Sequence, residues 1–191
     1  MNLESKKPTI FLISGKARHG KTTLGNFIKK EYELENKKVG SIAIVKYLKM
    51  YAKDYFGWDG KEESKPRDLL QNLGTEIIRF KLNKPDFFIN RTIEDLEILS
   101  YFFDCLIIDD IRIPEELESI KKVFNKTVTI KIKRKNLQEE LTEEQKQHYT
   151  EIALDNYENF DYIIDNDSDL NDLEEKTKQL IYSIKKEVDY E

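Results

Sequence analysis

Residues 15–22 read Gly-Lys-Ala-Arg-His-Gly-Lys-Thr and match G-x-x-x-x-G-K-[ST] at every fixed position. They follow an apolar run, 9–14, and precede a stretch in which Leu24, Phe27 and Ile28 share one helical face. A strand feeding such a turn, with a helix leaving it, wraps a phosphate in backbone N–H groups and the positive helix end. The pattern therefore predicts a nucleotide-binding loop built from Gly15, Lys16, Ala17, Arg18, His19, Gly20, Lys21, Thr22 and Thr23. Lys21 is expected to neutralise the β and γ phosphates of ATP, and Thr22 to place its hydroxyl on Mg²⁺, an ion that takes oxygen ligands. The bland alternative is a glycine-bearing turn with a coincidental lysine. His19 reads as a variable loop residue. His148 is the only other histidine, which excludes a His-rich metal site.

The rest of the chain supplies a frame for such a loop. Segments 9–14, 39–45, 105–109, 127–133 and 162–165 are rich in Ile, Val and Phe and predict five strands. Runs such as Ile10-Phe11-Leu12-Ile13 and Leu106-Ile107-Ile108 lack alternation, as in parallel strands covered on both faces. Helical stretches lie between them. Leu69, Leu70, Leu73, Ile77 and Ile78 form one apolar face, Leu170, Leu173, Ile181 and Ile184 punctuate a charged C-terminal helix, and Pro66 and Pro114 suit first helical turns. The expected fold is α/β with a mainly parallel five-stranded sheet, in one domain over residues 1–191. Ligands should gather beyond the carboxyl ends of the strands. Two connections exceed what a crossover needs: a helical insertion at 46–104 and a polar segment at 134–161, with Thr142 and Gln145 as a possible capping box.

Composition narrows the chemistry. Ten Phe, ten Tyr and one Trp in 191 residues supply a core and argue against disorder. A lone Cys105 rules out an internal disulfide and a cysteine-based zinc site. The apolar run 10–13 is too short for a signal peptide core or a membrane span, so a cytoplasmic protein without a membrane partner is expected. The net charge of −5 argues against a protein that coats nucleic acid. It divides unevenly, +7 over residues 1–138 and −12 over 139–191, which fits either a solvated acidic helix or an acidic interaction surface. Six arginines stand among 26 lysines, and the guanidinium fork grips phosphate where an ammonium does not. Arg18, Arg67, Arg79, Arg91, Arg112 and Arg134 are thus candidates for phosphate contact.

The apolar segment Leu106-Ile107-Ile108 ends in Asp109-Asp110, as a Walker B strand does. Asp109 is the expected Mg²⁺ partner, and Asp110 could orient the attacking group. No N-K-x-D element for guanine is present, since Asn125-Lys126-Thr127-Val128 lacks the acid. A small-molecule kinase fits the length and explains both insertions, 46–104 as an acceptor-binding lobe and 134–161 as a lid.

These elements, in order, carry a resemblance. The loop with its Gly-Lys-Ala-Arg opening, Leu48-Lys49, Leu69-Leu70-Gln71, Leu73-Gly74-Thr75-Glu76, Asp109-Asp110-Ile111-Arg112 and His148-Tyr149-Thr150-Glu151 resemble the deoxynucleoside monophosphate kinases of bacteria and phages. The resemblance implies a P-loop nucleoside monophosphate kinase fold, a three-layer sandwich, with ATP and Mg²⁺ and transfer to a (deoxy)nucleoside monophosphate. It also implies a monomer or homodimer acting on small-molecule nucleotides. Two departures stand out. Val45-Lys46-Tyr47 replaces the Ala-Asp-Pro often found before Leu-Lys, and Thr22 stands where relatives often have Asp. Kinases of phosphomevalonate or dephospho-coenzyme A share much of this plan, and an ATP-sensing binding module is the alternative from another class.

Within that plan Lys21 is expected at the donor phosphates, Arg134 in lid closure and Arg112 at the acceptor phosphate beside Asp109. Arg67, Arg79 and Arg91 are expected in the acceptor lobe. Arg134 equally suits a basic strand end among Lys131, Lys133 and Lys135. Tyr51, Tyr55, Phe56 and Trp58 read as core packing or as a base-stacking cluster. Glu151 could orient an arginine, and Asn166 could lie near the adenine.

Overall fold

The computed structural model describes residues 4–135 and 149–188. Strand β1 (Thr9–Ser14) is the centre of the sheet, flanked by β3 (Cys105–Ile111) and β4 (Thr127–Lys133). Strands β2 (Val39–Ile42) and β5 (Tyr162–Asp165) complete the order β2-β3-β1-β4-β5, with every pairing parallel. The missing alternation has its cause here. Ile10 and Leu12 enter the core on one face with Leu106 and Ile108, while Phe11 and Ile13 enter the other with Cys105 and Ile107. All eight are 3% exposed or less, so both faces of the central strands are covered.

Helices α1 (Lys21–Glu33) and α7 (Leu170–Val188) cover one face through Leu24, Ile28, Leu173, Leu180, Ile181 and Ile184. Leu170, expected on that stripe, is 65% exposed. The opposite face takes α2 (Lys46–Phe56), α4 (Phe87–Leu99) and α5 (Pro114–Val123), through residues such as Leu48, Phe88, Leu96 and Leu117. Pro114 does open α5, and Pro66 precedes α3 (Arg67–Gln71). A four-residue helix, α6 (Tyr149–Ile152), returns the chain toward β5. Thr142, Gln145, His148 and most of the expected lid lie outside the described residues.

Two boundaries and the winding of one helix differ from the sequence reading. Strand β2 stops at Ile42 instead of Val45 because the Asp110 carboxylate accepts the N–H groups of Ile44 (2.9 Å) and Val45 (3.3 Å). Strand β3 runs past Asp109 to Ile111, with a bulge in which Leu12–Ser14 of β1 faces 108–111 of β3, one residue longer. The helix after α3 is wound as a π-helix over Asn72–Lys81. Its inner side carries Gly74, Thr75 and Ile78, and Ile77, expected on the apolar face, is 40% exposed.

Candidate active site

The loop leaves β1 at Ser14 and enters α1 at Lys21. Gly20, at φ 101, occupies a backbone region that L side chains avoid, and a Cβ there would lie 2.5 Å from the Asn166 amide nitrogen. At Gly15 a Cβ would meet the Ile132 carbonyl oxygen at 2.5 Å. Both glycines therefore let the loop lie against β4 and the residue that follows β5. Asn166, just past β5, fastens it: its side chain donates to the His19 carbonyl (3.0 Å) and its backbone N–H to that of Lys133 (2.7 Å). The Arg134 N–H donates to His19 Nδ1 at 3.3 Å. His19 thus joins the loop to the end of β4, and Asn166 supports the loop from beneath.

Inside the loop, Lys21 Nζ donates to the carbonyls of Gly15 (2.7 Å) and Lys16 (2.8 Å). Burial and the nearby Arg112 cation lower its pKa to about 8, against the carboxylates of Glu151, Asp109 and Asp110, which pull it up. Thr22 Oγ1 donates to Asp109 Oδ2 at 2.7 Å, so the first turn of α1 meets the end of β3. A hydroxyl and a carboxylate beside a phosphate cradle form an all-oxygen set, which suits Mg²⁺. Among the described residues no cluster of three or more His, Cys, Asp or Glu could hold a metal by itself. Arg18 caps the loop in the left-handed region at φ 63, Lys16 pairs with Asp155 at 3.3 Å, and Ala17 and Thr23 are half-buried.

The bulge separates the two acids of β3. Asp109 faces Thr22, whereas Asp110 turns to the backbone of Ile44 and Val45, where burial raises its pKa. Asp110 thus fixes the turn before α2 and borders the cavity beyond it.

Two cavities open on either side of Arg112. One, of about 400 Å³, lies over the loop and is lined by Gly15, Lys16, His19, Lys133 and Arg134. The other, of about 200 Å³, lies under the helical lobe and is lined by Lys49, Arg67, Gln71, Thr75 and Arg79. Arg112, Thr150 and Glu151 line both. Arg112 Nη1 lies 2.9 Å from each Glu151 carboxylate oxygen. The Arg112 backbone N–H donates to Glu116 at 2.8 Å, and Glu116 also meets Arg79 at 3.4 Å. Burial raises the Glu116 pKa to about 7, against the N–H bond from Arg112. Two further Arg79 nitrogens, Nε and Nη1, are buried without a hydrogen-bond partner among the described residues.

The expected site residues are brought together unequally. Lys21, Thr22 and Asp109 meet at the loop, Arg134 borders the loop-side cavity, and Arg67, Arg79 and Arg112 border the other. Arg67 pairs with Glu62 at 3.3 Å on the rim. Arg91 does not join them: it pairs with Glu94 on the surface of α4, near the rings of Tyr47 and Phe87. Nor does the aromatic cluster line either cavity. Tyr55 and Phe56 are exposed, and Trp58 packs partly against the core with its N–H on the Lys61 carbonyl. Sequence reasoning missed Glu116, whose signal was an acid in the first turn after Pro114.

A model of the deoxynucleotide monophosphate kinase family matches residues 37–177. No curated protein matches the chain significantly. Among solved structures, similarity extends to an APS kinase from Mycobacterium tuberculosis in complex with AMPPNP and APS (8% identity, TM-score 0.53, 92% of this chain and 98% of that one). A shikimate kinase from Bacteroides thetaiotaomicron is 15% identical (TM-score 0.51, 91% and 98% covered). A dephospho-CoA kinase from Campylobacter jejuni is 16% identical (TM-score 0.50, 93% and 98% covered). At these identities the likeness is one of fold, the P-loop kinase sandwich around a parallel sheet.

Proposed function

The chain belongs to the deoxynucleotide monophosphate kinase family, and we propose that it transfers the γ-phosphoryl group of ATP to a (deoxy)nucleoside monophosphate. Family and fold both support ATP-dependent phosphoryl transfer in general. The observation that carries the reading to a phosphate-bearing acceptor is Arg112, a guanidinium in the wall shared by a loop-side cavity and a second, arginine-bordered one. An arginine there can touch anions from both sides.

In the proposed reaction an acceptor phosphate oxygen bonds to the γ-phosphorus as the bond from that phosphorus to the β–γ bridging oxygen breaks. The products are ADP and a (deoxy)nucleoside diphosphate. The attacking oxygen is largely ionised at neutral pH, since the second phosphate pKa is about 6. No general base is then required, which accords with Asp110 being committed to backbone N–H groups and His19 to the edge of β4. The protein's part is alignment and neutralisation. Lys21 exchanges its two loop carbonyls for phosphate oxygens, Arg112 spans donor and acceptor, and Arg67 and Arg79 supply positive charge to the acceptor side. Arg134, at the start of the lid segment, closes on the donor. Thr22 and Asp109 would hold Mg²⁺, which neutralises charge on the donor phosphates when bound.

The test is ADP release from ATP and Mg²⁺ with each nucleoside monophosphate in turn. Turnover with at least one and its loss in Lys21→Ala support the reading. Turnover only with phosphomevalonate or dephospho-coenzyme A redirects it, and ATP binding without any transfer removes it.

A further inference from the structure

We propose that Glu116 is a positioning residue for the transfer, one carboxylate that aims the Arg79 guanidinium at the acceptor phosphate and fixes the root of Arg112 beside it. This rests on the nucleotide-kinase reading above and adds the group that holds the acceptor-side cations in place.

The two oxygens of this carboxylate face different elements. Oε2 accepts the N–H groups of Arg112 (2.8 Å) and Ile113 (3.3 Å), where β3 gives way to α5. Oε1 meets Arg79 Nη2 at 3.4 Å, on the π-helix of the insertion. A cap for α5 needs only the first set, reached from the third helical position, where an acid bonds back to the N–H groups ahead of its helix. An acid there does its capping as well at the surface, yet Glu116 is 3% exposed and borders the acceptor cavity. Burying a carboxylate is costly unless cations and N–H groups surround it. The contact with Arg79 is the part that capping does not explain.

Arg79 is held without being used up. Its side chain is 13% exposed, Glu116 meets it at Nη2, and Nε and Nη1 are buried with no hydrogen-bond partner among the described residues. A guanidinium tethered at one nitrogen keeps the others for an oxyanion. While the cavity is empty, the carboxylate also offsets the cost of burying that cation, which would otherwise turn toward water. Arg112 is arranged from the opposite end. Its backbone is tied to Glu116, and its tip rests on Glu151, a contact that phosphate can take over. Glu116 thus joins the insertion to the end of β3 and sets both arginines at the same cavity.

The experiment measures the KM of ATP and the KM of the acceptor by ADP release, with whichever deoxynucleoside monophosphate the wild type turns over fastest. Glu116→Gln keeps an oxygen for the two N–H groups and removes the charge that holds Arg79. It is expected to raise the acceptor KM about tenfold or more and to leave the ATP KM within about threefold, because a misplaced cation acts on the substrate it orients. On an Arg79→Met background the same exchange should cost nothing further, or recover part of the loss by removing a carboxylate left without its cation. Glu116→Asp keeps the charge but is one methylene shorter. It should also raise the acceptor KM, and it carries the comparison if thermal melting shows that the Gln variant has lost its fold. Equal changes in the two KM values, no change in either, or an undiminished penalty on the Arg79→Met background overturns the inference and leaves the kinase reading standing. Failure of both Glu116 variants to fold assigns the residue to the fold alone and overturns it as well. No wild-type turnover of any nucleotide overturns both readings.

Discussion

Arg112 Nη1 stands 2.9 Å from both carboxylate oxygens of Glu151, in the wall that the two cavities share. The pair holds a cation on the proposed phosphate path and occupies it with a carboxylate until phosphate arrives. Arg112→Lys keeps the charge and loses the planar fork. It is expected to lower kcat about a hundredfold with folding intact, as for loss of a transition-state donor. A change under about threefold would place Arg112 outside the phosphate path.

Lys21 carries a pH signature. Its pKa is lowered to about 8 by burial and by Arg112, so the free enzyme loses this charge as the pH rises through that value. Only the protonated amine neutralises phosphate. Binding of a fluorescent ATP analogue should therefore weaken progressively above pH 8, measured as Kd against pH. In Arg112→Met one lowering influence is gone, and the midpoint should move upward. A midpoint unmoved by that substitution would show that Arg112 does not act on Lys21.

The loop is shaped against Asn166. Gly20→Ala sets a Cβ 2.5 Å from the Asn166 amide nitrogen and places a side chain at φ 101. The left-handed conformation alone costs about 1–2 kcal/mol. The KM for ATP should rise at least about tenfold, the equivalent of about 1.4 kcal/mol. Trimming the obstacle in Gly20→Ala/Asn166→Ala should restore part of that loss, since the clash is relieved and the backbone strain is not. Full additivity of the two single effects would contradict the contact.

Thr22 and Asp109 share a 2.7 Å hydrogen bond at the proposed metal position. Asp109→Asn should shift half-saturating Mg²⁺ upward with little change in metal-free nucleotide binding, read by titrating Mg²⁺ in the ADP-release assay. Thr22→Ser, which keeps the hydroxyl, should remain near wild type, while Thr22→Val should follow Asp109→Asn. Equal Mg²⁺ dependence in all three would exclude these two side chains from the metal.

Much of this was legible in the chain, for physical reasons that differ by element. Strand β1 was legible because a continuous apolar run is the mark of two-sided burial, and β4, Thr-Val-Thr-Ile-Lys-Ile-Lys, because β-branched residues crowd it; their bounds fall at Thr9–Ser14 and Thr127–Lys133. The loop was legible because phosphate binding fixes residue types at fixed spacing. Long-range events were not. Strand β2 ends early because a carboxylate 66 residues away takes the N–H of Ile44. The π winding at Asn72–Lys81 leaves apolar spacing close to that of an α-helix, so Ile77 was placed inside and lies outside. Arg91 shares a lobe with Arg67 and Arg79, and only the rotation of α4 carries it to the surface. Glu116 showed in the sequence only as an acid in the first turn after Pro114, and its contacts with Arg79 and the Arg112 backbone are long-range or set by the fold.

The most direct measurement is a coupled ADP-release assay with ATP, Mg²⁺ and a panel of nucleoside and deoxynucleoside monophosphates, with product identified by mass. The account predicts stoichiometric ADP and a nucleoside diphosphate from at least one member, abolished in Lys21→Ala and strongly reduced in Arg112→Lys. Tight ATP binding with no phosphorylated product from any nucleotide would contradict it.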